Sequence, residues 1–354
     1  MENKERERLL ASIQRLNRVI ILMVFAMVFL VIYIEYKPKF NFFKHEKIET
    51  VPYVEQVLTP EDSAWQEAMV DMWYAPDIDK VMDAKVRKQL DYGKDLIAHT
   101  AKYFGPNGSI RKSTNGLNCQ NCHLDAGTKP WGNNYAAVKY GYPRYRPRSG
   151  AIETIEKRIN DCFERSLNGE ALDPNSREMK AMKAYIMFLG SNTKKGDKPK
   201  GAGIYDLPLL KRAASTEKGK AIYDNKCASC HGADGQGQLN PDKIEYAYPP
   251  LWGPNAYNEG AGLYRLSRLA GYVRYNMPFG VGIDSPQLSN EEAWDVAAFV
   301  NSQPHPKKDL SKDWPKIEEK PMDHPFGPFA DGFSEKQHKL GPFQVIKAAK
   351  KKKK

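Results

Sequence analysis

The chain has 354 residues, enough for about two domains at roughly 150 residues each, and its 41% hydrophobic content suffices for ordinary globular cores. Its formal charge of +11 is concentrated at one end, since six lysines lie in the final KAAKKKKK and about +5 is left for everything else. That terminal run has no packing capacity and is expected to be a disordered tail, and the sequence shows no folded face that organises basic residues with aromatics as nucleic-acid binding would require.

At the amino end, Val19–Ile34 (VIILMVFAMVFLVIYI) holds sixteen residues without a charge. As a helix this stretch spans about 24 Å, slightly short of a hydrocarbon core of about 30 Å. Arg15 and Arg18 precede it, and the following YIEYKPKF offers no small-x-small cleavage pattern. The expectation is an uncleaved single-pass anchor in the cytoplasmic membrane, with its amino end cytoplasmic and the rest of the chain periplasmic. A cleaved signal is the alternative.

Further along, KQLDYGKDLIAHTAKYFG (88–105) has helical patterning and leads to CQNCH, which contains Cys119, Cys122 and His123. TEKGKAIYDNKCASCH (216–231) repeats the arrangement with Cys227, Cys230 and His231, and each helix carries a glycine near its start. C-x-x-C-H is the attachment signature of c-type haem. Two thiols at this spacing span the vinyl groups on one porphyrin edge, and the histidine that follows is held under the iron. Zinc or dithiol chemistry is the competing reading of a C-x-x-C pair, but here a histidine follows both pairs directly.

After each motif a second helix is predicted. In the first half it is SREMKAMKAYIMFLG (176–190), with Met179, Met182, Tyr185, Ile186 and Leu189 on one face. In the second it is SNEEAWDVAAFVNS (289–302), opened by the capping box Ser289/Glu292. NTKKGDKPKGAG (192–203) between the halves reads as a polar linker. Beyond residue 303 the chain is too rich in proline for regular structure, and it is expected to wrap the surface because Trp314, Phe326, Phe329 and Phe333 need burial. The order helix, haem motif, loops, helix resembles class I cytochrome c, occurring twice. The expected fold is therefore mainly α, with two tandem class I cytochrome c-like haem domains behind a transmembrane helix. Residues 1–50 form the cytoplasmic stub, anchor and juxtamembrane segment, 51–200 the first haem domain, 201–312 the second, and 313–354 the wrapping extension and lysine-rich tail.

Each iron needs a ligand opposite its histidine. For the second haem, Met277 in YNMPFG is the only methionine between the haem motif and Met322, and it lies in a Gly/Pro loop before the last helix. His/Met ligation raises the reduction potential. The first half has no such loop. It has a helical segment with an apolar stripe (Ile152, Ile155, Ile159, Phe163, Leu167) and a lone Cys162 beside it, with Arg158 and Ser166 one turn away on either side and Arg165 nearby. Free cysteine is ordinarily a small buried hydrophobe. A thiolate is also a soft ligand for haem iron, favoured by neighbouring guanidinium groups. Spacing alone leaves both roles of Cys162 open.

The segments NGLNCQNCHLDAGTKPW, YPRYRPRSGAIETIEKRINDCFERSLNGEAL, YPPLWGPNAYNEGAG and DHPFGPFADGFSEKQHKLGPF together resemble the dihaem thiosulfate dehydrogenases, from about residue 60 to residue 345. The resemblance implies a periplasmic enzyme that couples two thiosulfate dianions into tetrathionate and releases two electrons. It implies two covalently bound haem c groups, the first catalytic with ligands His123 and Cys162, the second an electron exit with His231 and Met277. By motif match Arg148, Arg158 and Ser166 fall at anion-binding positions. Some relatives have a lysine beside the distal methionine, where this chain has Asn276. The implied partners are thiosulfate and tetrathionate, an electron-accepting cytochrome or oxidase, and the inner membrane. Two other readings stay open: a membrane-anchored dihaem electron carrier with no substrate of its own, and a sulfur-compound cytochrome acting on carrier-bound sulfur.

Overall fold

The computed structural model of the protein describes residues 72–352 continuously, together with seven positions between residues 16 and 28. Most of the expected anchor over Val19–Ile34 lies outside the described residues, among which no helix is long and apolar enough to cross a membrane. Residues 72–352 hold seven helices of ten residues or more: α1 (Ala84–Ala98), α2 (Ile155–Arg165), α3 (Arg177–Leu189), α4 (Thr216–Lys226), α5 (Leu266–Asn276), α6 (Asn290–Ser302) and α7 (Phe343–Lys352). Several shorter helical turns and two small antiparallel hairpins complete the regular structure, the hairpins pairing β1 (Arg144–Arg146) with β2 (Ala151–Glu153), and β3 (Gln238–Leu239) with β4 (Tyr246–Tyr248).

The helices begin where short polar side chains can take up free backbone N–H groups. Asp83 accepts from Lys85 and Val86 at the start of α1, Thr154 from Lys157 at α2, Ser176 from Met179 at α3, and Ser215 from Lys218 at α4. The Ser289/Glu292 capping box opens α6 as its sequence requires.

Both halves are built on one crossing. α1 packs on α3 and α4 packs on α6, and in each pair the amino-terminal helix passes its partner at a glycine. A Cβ on Gly93 would stand 2.2 Å from the Ala181 carbonyl oxygen, and one on Gly219 would stand 2.0 Å from that of Asp295. Only hydrogen at these two positions allows the backbones to approach so closely. Around the first crossing lie Leu96, Phe104, Phe163, Met179, Met182 and Leu189; around the second lie Tyr223, Trp252, Tyr272, Trp294 and Val296.

The structure corrects the sequence reading in two places, at Ile152 and at the lysine-rich end. Ile152 is not on the buried stripe of α2: it sits in β2, 73% exposed, because the chain enters the helix only at Thr154. The polar linker is exposed over residues 194–198, as expected, and packs only at its end, where the Gly201 carbonyl accepts from the Trp131 N–H at 2.7 Å and the Lys200 carbonyl accepts from that of Trp73 at 2.9 Å. The lysine-rich end is not a disordered tail through its first residues. α7 runs to Lys352 because Phe343 and Ile346 are buried in the second core. Within the described residues 72–352 the two haem-motif halves are in direct contact. The Tyr272 hydroxyl donates to the Asn121 carbonyl at 2.8 Å, and Asn258 binds the end of α2 through Glu164, Arg165 and Asn168. The proline-rich extension is ordered, as expected, with Trp314, Phe326, Phe329 and Phe333 each partly buried.

Candidate active site

The first cavity holds about 930 Å³ of unfilled space, part of it open to solvent, and is lined by Cys119, Cys122, His123, Arg158, Cys162 and Ser166, among others. α2 supplies Arg158 and Cys162 from one face, and its C-cap residue is Ser166. The attachment loop supplies the other side. His123 Nδ1 is hydrogen-bonded to the Asn133 carbonyl, and Tyr135 stacks on the imidazole with ring centroids 4.5 Å apart. Nε2, which has only a 3.5 Å contact with Asn133 Nδ2, is then the imidazole nitrogen for a metal. Burial lowers the His123 pKa to about 4, so the ring is the neutral form that ligates. Burial likewise pushes the thiols of Cys119 and Cys122 up to about 12.

Apart from the attachment pair Cys119 and Cys122, the cavity contains one sulfur besides Cys162. Met182 of α3 also lines it, although the sequence suggests only a packing role. Cys162 differs from Met182 in lying one turn from Arg158 on α2. Cys162 is the first cause holding the Arg158 guanidinium in its charged form, ahead of the opposing effect of burial. The Arg158 guanidinium makes no hydrogen bond or ion pair to another described residue, so its donors are free for an anion.

Two other arginines predicted near Cys162 are already committed. Arg148 is ion-paired with Asp161, which also accepts from Lys157 at 2.5 Å. Burial alone would raise the Asp161 pKa, but Arg148, Lys157 and Arg158 outweigh it and hold the carboxyl below its ordinary value. Arg165 points away and grips Asp313. Glu153 adds a carboxylate that the sequence reading missed. It is 3% exposed, 3.7 Å from Arg146 Nε, and neither of its oxygens has a hydrogen-bond partner among the described residues.

The second cavity is lined by Cys227, Cys230, His231 and Met277, with Tyr223, Leu269, Tyr272 and Val296 around them. His231 Nδ1 is bonded to the Pro249 carbonyl at 2.8 Å, leaving Nε2 free, and burial lowers its pKa. No other methionine lines this space. Asn276, just before Met277, is buried and donates to the carbonyls of Trp131 at 3.1 Å and Tyr272 at 2.8 Å, tying the loop to the first half. Leu117 and Cys122 line both cavities, so one wall is shared. In each cavity two cysteines, the histidine that follows them with Nδ1 held by a backbone carbonyl, and a further sulfur line an apolar space. That donor set fits covalently attached haem.

Comparison with known proteins agrees. Residues 216–304 match the cytochrome c family, and residues 109–194 match the SoxA/TsdA cytochrome c domain. The chain is 39% identical over 245 residues to a thiosulfate dehydrogenase of Psychrobacter arcticus, covering 68% of this chain and 71% of that protein. It is 42% identical over 196 residues to one of Allochromatium vinosum, covering 54% and 71%. The chain belongs to the thiosulfate dehydrogenase family. A solved relative, the thiosulfate dehydrogenase TsdBA of Marichromatium purpuratum in its as-isolated form, superposes with a TM-score of 0.61 at 31% identity, covering 67% of this chain. This chain covers half the length of that one. As a dihaem member of the family, the protein carries two covalently bound haem c groups.

Met277→Ala is expected to lower the midpoint potential of the second haem while leaving the visible spectrum of the first unchanged, since no other methionine lines that cavity. Potentiometric titration of the dihaem protein checks this. An unchanged second potential means that another group holds that position.

Proposed function

We propose that the protein is a thiosulfate dehydrogenase that couples two thiosulfate dianions into one tetrathionate dianion with release of two electrons. The observation that carries the reading is the placement of Cys162, Arg158 and Ser166 in the cavity that also holds His123 and the first cysteine pair. The reaction balances without protons, and no general base is needed. Bound haem supplies a one-electron acceptor at each of the two sites.

The chain's own residues account for the rest. Thiosulfate presents a soft sulfane sulfur on one side and a charged, sulfonate-like group on the other. The free guanidinium of Arg158 takes the oxygen end, where its planar fork suits an oxyanion. Cys162 then faces the soft end. Its thiolate and one thiosulfate would together give up two electrons, one to each bound haem, as a bond forms between Cys162 Sγ and the sulfane sulfur; the sulfane sulfur of a second thiosulfate then attacks that same sulfur, breaking its bond to Sγ, so that tetrathionate leaves and the cysteine thiolate is restored. Ser166 closes the last turn of α2, its N–H bonded to the Cys162 carbonyl at 2.9 Å. Arg148, held by Asp161, contributes positive charge at the edge of the site rather than a free donor.

The second cavity suits electron exit. Phe279 lines it and is 74% exposed, which gives an electron-accepting cytochrome or oxidase an apolar landing point beside Met277. Placement of the catalytic part in the periplasm, tethered by Val19–Ile34, is supported by the charge-free run behind Arg15 and Arg18. A pure electron carrier would have no use for the uncommitted Arg158 beside Cys162.

The dihaem protein is expected to form one tetrathionate per two thiosulfates consumed. Arg158→Gln should raise the half-saturating thiosulfate concentration by about ten- to hundredfold, the equivalent of one charge-assisted hydrogen bond. Parent-like saturation in that variant contradicts the assignment. Replacing residues 1–36 with a cleavable signal should yield soluble dihaem protein of unchanged turnover. Loss of haem from that truncated protein would show that the segment belongs to the fold instead.

A further inference from the structure

The extension that follows the second haem domain does not stay on that domain. Residues 309–319 return to the first, and they touch it at two places. Asp313 receives two hydrogen bonds of 2.8 Å from the Arg165 guanidinium, with the two side chains 12% and 11% exposed. Arg165 is the last residue of α2, three beyond Cys162. The next residue, Trp314, donates its backbone N–H to the Arg148 carbonyl at 2.6 Å. Arg148 lies in the turn between β1 and β2, which is closed by Gly150 N–H on the Arg146 carbonyl at 2.9 Å. Pro315 lies so close under this turn that a Cβ on Gly150 would stand 2.4 Å from its ring. Further on, the Tyr145 hydroxyl donates to Glu319 at 2.9 Å, and Lys316 Nζ stands 5.8 Å over the Tyr145 ring.

The two contacts converge. One runs from Asp313 through Arg165 into the last turn of α2, where the Ser166 and Leu167 N–H groups bind the Cys162 carbonyl at 2.9 and 3.0 Å. The other runs from Trp314 through the hairpin turn to Arg148, whose side chain ends on Asp161. Asp161 and Cys162 are neighbours in sequence, so the strap braces the same point of α2 from both sides. A bidentate guanidinium–carboxylate pair at low exposure fixes direction as well as distance. It also withdraws Arg165 from competition for the bound anion and leaves that task to Arg158.

We propose that residues 309–319 are a positioning strap for the first domain's anion site, with Asp313 setting the Cys162 turn through Arg165 and Trp314–Glu319 setting the Arg148 turn. The inference rests on the assignment of Cys162 and Arg158 to the thiosulfate site. It makes the second domain's extension part of the first domain's specificity, beyond any role in covering hydrophobic surface.

The test uses the full dihaem protein. Asp313→Ala should raise half-saturating thiosulfate about tenfold, with turnover at saturation falling much less. It should also alter the visible spectrum of the first haem while leaving that of the second unchanged, and Asp313→Glu should restore most of both. A packing role would move none of these selectively. Parent-like saturation together with a parent-like first-haem spectrum in Asp313→Ala overturns the proposal. Should that variant fail to retain haem, Tyr145→Phe decides, because it deletes only the hydroxyl contact to Glu319. A rise of about two- to fivefold in half-saturating thiosulfate is expected there, and no rise overturns the strap. If the parent itself does not turn over thiosulfate, the proposed function fails, and the first-haem spectra of Asp313→Ala and Asp313→Glu still decide the strap.

Discussion

Close approach of two helix backbones at Gly93 and again at Gly219 is the constraint from which both cavities follow. Each crossing fixes where the attachment motif emerges relative to the helix that follows it in the chain. A porphyrin is large and apolar, so the protein must leave a matching space in its core rather than fill it with side chains. With α1 locked on α3, the space beneath Cys119–His123 is walled by α2 and α3; with α4 locked on α6, the space beneath Cys227–His231 is walled by α5 and α6. The two spaces then meet at Leu117 and Cys122, so the geometry that holds one haem also places it against its neighbour.

Charge decides what the first cavity does. Four arginines lie on or near α2, and three of them are compensated: Arg148 by Asp161, Arg165 by Asp313, and Arg146 in part by Glu153. Arg158 keeps its donors free beside the Cys162 sulfur. Binding a dianion in an apolar space needs positive charge that is not already satisfied, because a paired guanidinium would have to break one contact to make another. On the proposed reading, the compensation pattern leaves Arg158 for substrate and uses the others to hold the frame around it.

Much of this was legible in the sequence because the chemistry needs residues close together in the chain. The two C-x-x-C-H motifs, the Ser289/Glu292 cap, Met277 in its loop and the Arg158–Cys162–Ser166 spacing are local patterns, and the structure places each of these sets together. What escaped was set by distant segments meeting. Nothing near Asp313 in the sequence points to Arg165, 148 positions earlier, and nothing near Asn133 marks its carbonyl as the partner of His123. The Lys-rich end read as disordered because its charge is obvious and its two anchoring residues, Phe343 and Ile346, are few. Ile152 fitted a helical stripe by periodicity, yet Arg146, Arg148 and Gly150 before it turn the chain into a hairpin.

The measurement that bears most directly on the account compares Cys162→Ser with the parent in haem spectra and thiosulfate turnover on the same samples. Serine keeps the size of the side chain but is a poor, hard ligand and cannot form a sulfur–sulfur bond. The account predicts that the variant attaches both haems, loses the thiolate features of the first, keeps the second haem's exchange with a small redox partner, and forms tetrathionate slower by orders of magnitude. Substantial tetrathionate formation by Cys162→Ser would contradict it.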